Sequence, residues 1–105
     1  MTKKNFNDRV YEIVAAIPKG YVMSYGQVAS WAGNMRASRA AGYAMSRCTQ
    51  KSMPCHRVVY RNGELARGLA FGGEGRQRAL LEAEGVTFTE DGHVDMKKHR
   101  HRRRD

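Results

Sequence analysis

The chain has 105 residues, of which 41% are hydrophobic, a length and composition that suit one domain with a modest core. Its formal net charge is +9; the last nine residues, "KKHRHRRRD", carry +5 and the rest carries +4, which favours a polyanionic partner such as nucleic acid over a membrane. The charged N-terminus is unlike a secretory signal, no run approaches the roughly 18 apolar residues of a membrane span, and two cysteines fit a reducing cytoplasm.

Apolar residues recur at helical spacing near the N-terminus and predict a first helix, which Pro18 and Gly20 end. These residues are Phe6, Val10, Ile13, Val14 and Ile17. A second helix is predicted to begin after Ser24, with Gln27 completing a capping box and Gly33 ending the helix.

A third helix, rich in Ala, Arg and Met, is predicted over about 35–47. Together with the preceding helix and its Gly-containing turn, it forms a predicted helix-turn-helix over about 24–47. This helix would carry Arg36, Arg39 and Arg47, which form either a solvated face or a DNA-contacting face.

The sequence of the second half predicts a strand at 53–59 and a short hairpin around Asn62–Gly63. The segment "ARGLAFGGEG" is a glycine-rich loop without the spacing of a phosphate-binding loop. A last helix over about 74–84 ends at Gly85, and "VTFTEDGHVDM" suggests a small terminal hairpin. The prediction is one α+β, mostly helical domain over residues 1–96, winged-helix-like with a short β-hairpin, followed by a basic disordered tail at 97–105.

The stretch "SMPCHRVVYRNGE" places Cys55 next to His56, and three roles are open for this thiol. A zinc site would need Cys48 and the distant His93 as further ligands, a poor set for zinc, so no metal site is predicted. A Cys–His dyad is possible, although neighbouring residues on a strand point to opposite faces. A small buried thiol is the third alternative.

Four blocks carry a resemblance to a known family: "SYGQVA", "RASRAAGYAM", "MPCHRVV" and "LLEAEG". In this order and at these distances they resemble the DNA-binding domain of the O6-alkylguanine-DNA alkyltransferases, over roughly residues 4–86. Residues 54–58 match that family's Pro-Cys-His-Arg-Val signature letter for letter.

The resemblance implies that the helix-turn-helix binds duplex DNA in the minor groove and flips the damaged nucleotide into a pocket. Arg39 matches the arginine that fills the gap left by the flipped base, with Arg36 and Arg47 as further DNA-binding residues. Tyr25 matches a tyrosine that helps to rotate the 3′ phosphate and hydrogen-bonds the guanine. Met45 matches an apolar wall of the pocket.

The resemblance also implies the chemistry. Cys55 matches the acceptor thiol, His56 its base acting through a water, and Glu84 the carboxylate that orients the histidine. Arg57 matches a motif position that is usually interpreted as structural, and it is grouped with Arg67 among the substrate-pocket residues. Transfer of the alkyl group to sulfur leaves a stable thioether, so one molecule repairs one lesion without a cofactor.

Three features differ from the family pattern. The chain starts directly at the DNA-binding domain, as in alkyltransferase-like proteins, which bind alkylated guanine without repairing it and typically have Trp where this chain has Cys55. The segment around Cys48 lacks an Asn that the family usually has. The loop retains Gly72–Gly73 but not the usual Tyr and Ser, and Arg67 either approaches the pocket or is solvated.

Two lesion-specific functions are therefore expected, and a non-specific basic DNA-binding protein is the third alternative. The first is a single-turnover methyltransferase that moves an alkyl group from O6-alkylguanine in double-stranded DNA to Cys55. The second is a non-catalytic lesion sensor that passes the site to nucleotide excision repair proteins. Either protein is expected to be a cytoplasmic, nucleoid-associated monomer that does not bind membranes.

Overall fold

The computed structural model describes residues 5–47, 53–66 and 75–102. Its elements in chain order are α1 (Phe6–Ala15), β1 (Met23–Ser24), α2 (Tyr25–Trp31), α3 (Ser38–Ser46), a one-turn 3-10 helix (Cys55–Arg57), β2 (Val58–Val59), α4 (Arg76–Ala83) and α5 (Met96–His99). The α+β, mostly helical class is confirmed. Within the described ranges, the helices are too short or too polar to cross a membrane.

Helix α1 begins at a capping box that its own sequence supplies. The side chain of Asn5 accepts from the Asp8 N–H at 2.8 Å, and the Asp8 carboxylate accepts from the Asn5 N–H at 3.3 Å. The helix ends at Ala15, three residues before Pro18, and buries Val10 and Val14. The predicted first helix is confirmed.

Helices α2 and α3 form the predicted helix-turn-helix. The Ser24 hydroxyl accepts from the Gln27 N–H at 3.1 Å, which confirms the predicted N-cap. The predicted capping box is incomplete, because the Gln27 side-chain amide donates to the His101 carbonyl instead. The interior of α1–α3 is one apolar cluster: Val10, Val14, Ile17, Met23, Val28, Ala29, Ala32, Ala41, Ala44, Met45 and Val58.

Helix α3 begins at Ser38 rather than near residue 35, so the prediction that Arg36 lies on this helix is wrong. The preceding residues form a turn held by Asn34. Its side chain accepts from the Arg36 N–H at 3.1 Å, and its carbonyl accepts from the Ala37 N–H at 3.0 Å. These local bonds compete with an earlier start of the helix.

A two-stranded parallel sheet joins the helix-turn-helix to the second half of the chain. Met23 pairs with Val58 and Ser24 with Val59. The hairpin predicted around Asn62–Gly63 is present as a turn, in which the Gly63 N–H donates to the Tyr60 carbonyl at 2.8 Å. The described residues after this turn form no second strand.

Gly63 allows this turn to pack against the end of the chain. It has φ +89°, and a Cβ built on it would lie 2.4 Å from the Val94 carbonyl oxygen. The Val94 N–H donates to the Gly63 carbonyl at 2.9 Å. The turn therefore packs directly on the terminal hairpin, which is confirmed by an antiparallel bridge between Phe88 and Val94.

The basic segment predicted to be a disordered tail is ordered through Arg102, so that prediction is wrong for residues 97–102. After α5, the chain runs beside β1: the Val22 N–H donates to the His99 carbonyl and the His101 N–H to the Val22 carbonyl, both at 2.8 Å. The His101 ring contacts Tyr21 and Trp31, with ring centroids 6.2 and 5.8 Å away. Backbone pairing and ring packing hold the segment despite its charge, while residues 103–105 lie outside the described ranges.

Candidate active site

Cys55 lies in the 3-10 turn rather than on a strand, since β2 covers only Val58–Val59 of the predicted strand at 53–59. Its N–H donates to the Met53 carbonyl at 2.8 Å, and its carbonyl accepts from the Val58 N–H. In a 3-10 turn, successive side chains diverge by about 120° rather than 180°. The neighbouring His56 is therefore not forced to the opposite face from the half-buried thiol.

Glu84, the C-cap residue of α4, binds the two residues that come after Cys55. Its Oε2 lies 2.9 Å from His56 Nε2 and 2.7 Å from Arg57 Nη2, and its Oε1 lies 2.9 Å from Arg57 Nε. The hydrogen bonds from Arg57 and then His56 outweigh the effect of burial and lower the pKa of Glu84 to about 2. The Glu84 side chain is thus an ionised carboxylate near neutral pH.

The ionised carboxylate determines the tautomer of His56. A carboxylate can only accept hydrogen bonds, so the proton of a neutral imidazole lies on Nε2 and the lone pair on Nδ1. His56 Nδ1 is then the atom that can take up a proton. Cys55, His56 and Glu84 were predicted to act together, and the structure brings them to one end of α4.

Arg57 supports this arrangement instead of lining a pocket. Besides its two bonds to Glu84, it donates from Nη1 to the Ile17 carbonyl at 2.8 Å, and its side chain is only 16% exposed. All three nitrogens are therefore engaged behind the carboxylate. The sequence-based placement of Arg57 in the substrate pocket does not match these contacts.

Gln77 is a positioning residue that the sequence interpretation missed. Its side-chain amide donates to the carbonyls of His56 and Val58, both at 3.0 Å, and its oxygen accepts from the Ala66 N–H at 2.8 Å. Gln77 is buried on α4, seven residues before Glu84 and on the same face. A polar residue four positions before the buried Leu81, on an otherwise apolar stripe, was the available sequence signal.

A cavity of about 350 Å³ is lined by Tyr25, Ser38, Arg39, Gly42 and Tyr60. We call it the Tyr25 cavity. The Tyr25 and Tyr60 rings contact each other, with centroids 5.3 Å apart. A Cβ added at Gly42 would lie 3.6 Å from the Tyr25 ring, in ordinary van der Waals contact with it.

Burial raises the pKa of Tyr25 to about 12, and the nearby Tyr60 and Cys55 add to the effect. The phenol is therefore neutral and can donate a hydrogen bond. Tyr25 and Cys55 also pack against the same apolar cluster of the helical core. Tyr60 was not predicted as a site residue, because an aromatic residue after a strand is common in cores.

The remaining predicted residues fall in different surroundings. Arg39 is exposed and lines the Tyr25 cavity, and Arg36 is exposed on the turn before α3. Arg47 is the C-cap residue of α3 and donates to the Tyr43 hydroxyl at 3.3 Å. Met45 is 7% exposed and packs in the helical core, and it does not line the cavity.

The predictions for the loop and for the segment around Cys48 lie outside the described residues. These are the approach of Arg67 to the pocket, the retained Gly72–Gly73, and the absence of an Asn near Cys48. They stay predictions from the sequence.

Known proteins are similar to this chain in both sequence and fold. The profile of the family described as 6-O-methylguanine DNA methyltransferase, DNA binding domain, matches residues 5–86. A DNA base-flipping protein of Escherichia coli K12 is 44% identical over 97 residues, covering 91% of this chain and 74% of that protein.

Two solved structures are similar in fold and sequence. Schizosaccharomyces pombe Atl1, in complex with damaged DNA containing O6-carboxymethylguanine, has a TM-score of 0.81 and 30% identity, covering 98% of this chain and 100% of Atl1. Mycobacterium tuberculosis OGT in complex with DNA has a TM-score of 0.70 and 38% identity, covering 80% of this chain and 51% of OGT. This chain therefore spans about half of that second protein.

Proposed function

Because this chain belongs to the family of 6-O-methylguanine-DNA methyltransferase DNA-binding domains, we propose that it binds duplex DNA and transfers an alkyl group from O6-alkylguanine to Cys55. The observation that carries the proposal is the hydrogen-bonded group of His56, Arg57 and Glu84, which holds the two residues that follow Cys55 in the chain. A thiol that served only to fill the core would have no use for an oriented imidazole beside it.

Binding presents the altered base to the Tyr25 cavity. Helix α3 carries Arg39 at the rim of this cavity, where its guanidinium can enter the base stack as the nucleotide leaves it. Turning a nucleotide out of a duplex costs a few kcal/mol, and less when the base pairs badly. Alkylated guanine pairs badly, so the flipping step itself favours the lesion.

The nucleophile is the thiolate of Cys55. His56 Nδ1 takes up the thiol proton through a water molecule, and Glu84 stabilises the resulting imidazolium. The sulfur then attacks the alkyl carbon, the S–C bond forms, and the bond between that carbon and O6 breaks with its electron pair moving to the purine.

The leaving purine gains negative charge, which a hydrogen bond from the neutral Tyr25 phenol stabilises. The proton held by His56 returns through water to the displaced base, so the step is balanced without a further reactant. The products are unmodified guanine in DNA and a thioether at Cys55. Since a thioether does not reverse under these conditions, each molecule acts once.

A second function is supported by a separate observation. This chain and Atl1 cover each other almost completely at a TM-score of 0.81, whereas the chain covers about half of OGT. A protein of this layout could bind O6-alkylguanine as a sensor, without transfer, and pass the site to nucleotide excision repair proteins. The two functions share the Tyr25 cavity and differ in whether Cys55 reacts.

The intact mass of the protein after incubation with a duplex containing one O6-methylguanine separates them. Transfer predicts the mass gain of one methyl group, mapped to Cys55 and absent with undamaged DNA. The Cys55→Ser variant is expected to gain no mass while keeping its preference for the lesion duplex. An unchanged mass of the wild type, together with preferential lesion binding, would replace transfer by the sensor function.

A further inference from the structure

Two further grooves lie on the surface of the protein. The first, of about 640 Å³, is lined by Tyr60, Arg61, Asn62, Glu64 and Arg100. The second, of about 610 Å³, lies beside α2, and its lining includes Arg61, Arg100 and Arg102 together with Trp31 and Met35. Tyr60 is shared with the cavity, and Arg61 and Arg100 are shared by the two grooves. The first groove therefore adjoins the Tyr25 cavity at Tyr60, and the two grooves adjoin each other at Arg61 and Arg100; we call the two grooves the arginine grooves.

The arginine grooves are strongly basic. They bring three guanidinium groups together, and Glu64 is the single carboxylate among the described residues that line them. No ion pair links Arg61, Arg100 or Arg102 to a carboxylate within residues 5–47, 53–66 and 75–102. Their charge is therefore available to an anionic ligand.

Two buried polar atoms face the same region. Arg100 Nε and Gln27 Oε1 have no hydrogen-bond partner among the described residues, and both residues line the groove beside α2. A buried donor or acceptor without a partner costs about 1–3 kcal/mol, so such atoms usually mark a place where a ligand or water binds.

The fold holds the basic segment in place. The backbone pairing of Val22 with residues 99–101 fixes an extended chain beside β1. In an extended chain, residues two apart share a face, so Arg100 and Arg102 point to the same side. The exposed side chain of Met35 and the Trp31 ring give the groove an apolar wall that suits deoxyribose.

We propose that the arginine grooves bind the phosphate backbone of the same duplex, beyond the flipped nucleotide, so that the basic C-terminal segment is part of the DNA interface. This inference rests on the proposed function for its choice of duplex DNA as the partner. It is supported by the Tyr60 side chain, which lines both the Tyr25 cavity and the first groove, and by the charge of the two grooves. Arg100 and Arg102 lie beyond the matched family region of residues 5–86.

The test is the salt dependence of binding to a lesion duplex, measured by fluorescence anisotropy. Each phosphate contact contributes about 0.9 to the slope of log K against log salt concentration. The double variant Arg61→Ala/Arg102→Ala is expected to lower that slope by about 1.8 relative to wild type. Arg61→Lys/Arg102→Lys is expected to retain most of the slope, because the charges remain.

A matched control removes two charges from the same segment. Lys97 and Lys98 are exposed on α5 and line neither groove, so Lys97→Ala/Lys98→Ala is expected to leave the slope near that of wild type. Equal slopes for the two alanine double variants would contradict phosphate binding in the arginine grooves and would indicate general electrostatic attraction to DNA. An unchanged slope for Arg61→Ala/Arg102→Ala would contradict phosphate binding there as well.

The length of the duplex gives an independent measurement. Shortening the DNA on one side of the lesion is expected to weaken wild-type binding more than binding by Arg61→Ala/Arg102→Ala, because only wild type has the distant contact to lose. Equal losses would contradict the proposal. Failure of the proposed function is distinct from both results: wild type itself would then bind damaged and undamaged duplexes equally.

Discussion

The two sides of the candidate site are held in different ways. On one side, the turn that carries Cys55 is fixed to α4 by hydrogen bonds from Gln77 and by the ion pairs of Glu84. On the other side, Tyr25, Tyr60 and the exposed Arg39 form a cavity wall through ring contacts. The reacting groups are thus preorganised by the protein, whereas the wall has groups suited to a base that arrives with the DNA.

The pKa values show the same division. Glu84 accepts hydrogen bonds from two basic side chains, and its pKa is lowered to about 2. Tyr25 is buried next to another phenol and a thiol, and its pKa is raised to about 12. Each group is therefore held in the form that its role requires, an anion that orients a base and a neutral phenol that donates.

The largest effect is expected from Glu84→Gln, on the preorganised side. The amide cannot stabilise an imidazolium, so the rate of alkyl transfer should fall roughly 10²–10⁴-fold. The measurement is single-turnover transfer to a lesion duplex, monitored by the mass of the protein. A rate within a few-fold of wild type would show that the group behind Cys55 has no part in activating it.

Glu84→Gln is also expected to change how the stability of the folded protein depends on pH. Because the pKa of Glu84 is lower in the folded protein than its ordinary value of 4.5, its contribution to stability is complete above pH 4.5 and is lost as the pH falls toward about 2. Chemical denaturation over that range should show a steeper loss of stability for wild type than for Glu84→Gln. Parallel curves would contradict the role of the ion pairs.

On the cavity side, Tyr25→Phe removes one hydroxyl and keeps the ring. The transfer rate should fall by about 10²-fold if the phenol donates to the leaving purine, since one such donor is usually worth that much. Tyr60→Phe is the matched control on the facing ring and should have a smaller effect. If the two variants slow transfer equally, the phenol of Tyr25 has no special place in the reaction.

Gln77→Leu tests how the turn is held. It leaves the carbonyls of His56 and Val58 and the N–H of Ala66 without this partner, so the free energy of unfolding should fall by about 2–3 kcal/mol. Urea denaturation measures the change, with the exposed Arg76→Ala on the same helix as a control. A loss no larger than that of the control would mean that the turn is fixed by other contacts.

The smallest effect is expected from Arg39→Ala. Its side chain can fill the gap in the base stack, which should be worth about 1–2 kcal/mol, or roughly tenfold in affinity for the lesion duplex. Competition binding with damaged and undamaged duplexes measures the preference. A preference equal to that of wild type would exclude Arg39 from flipping.

The secondary-structure elements that depend on neighbouring residues could be predicted from the sequence. The spacing of Val10 and Val14 predicted α1, and Ser24 predicted the start of α2, because periodicity and capping act within a few residues. Cys55, His56 and Glu84 were predicted through a resemblance, which carries tertiary information that spacing lacks. The structure shows the bond between His56 and Glu84, and the catalytic roles of the three residues stay predictions.

Features that depend on distant partners could not be predicted in this way. Strands of two residues, such as Val58–Val59, have no recognisable period, so their parallel pairing with β1 was missed. Gln77 resembles an ordinary exposed helix residue until its buried partners are known. The segment around His101 looked like a solvated tail because its charge was visible and its pairing with Val22 was not.

That pairing also bears on the order in which the molecule folds. The bonds from Gln27 to His101 and from His99 to Gly20 join residues 74 and 79 positions apart, whereas the core of α1–α3 uses nearer neighbours. Closing long loops requires more chain entropy to be lost, so such contacts form late in folding. The helix-turn-helix should therefore fold first. The arginine grooves are complete only after the C-terminal segment has been synthesised and has paired with Val22.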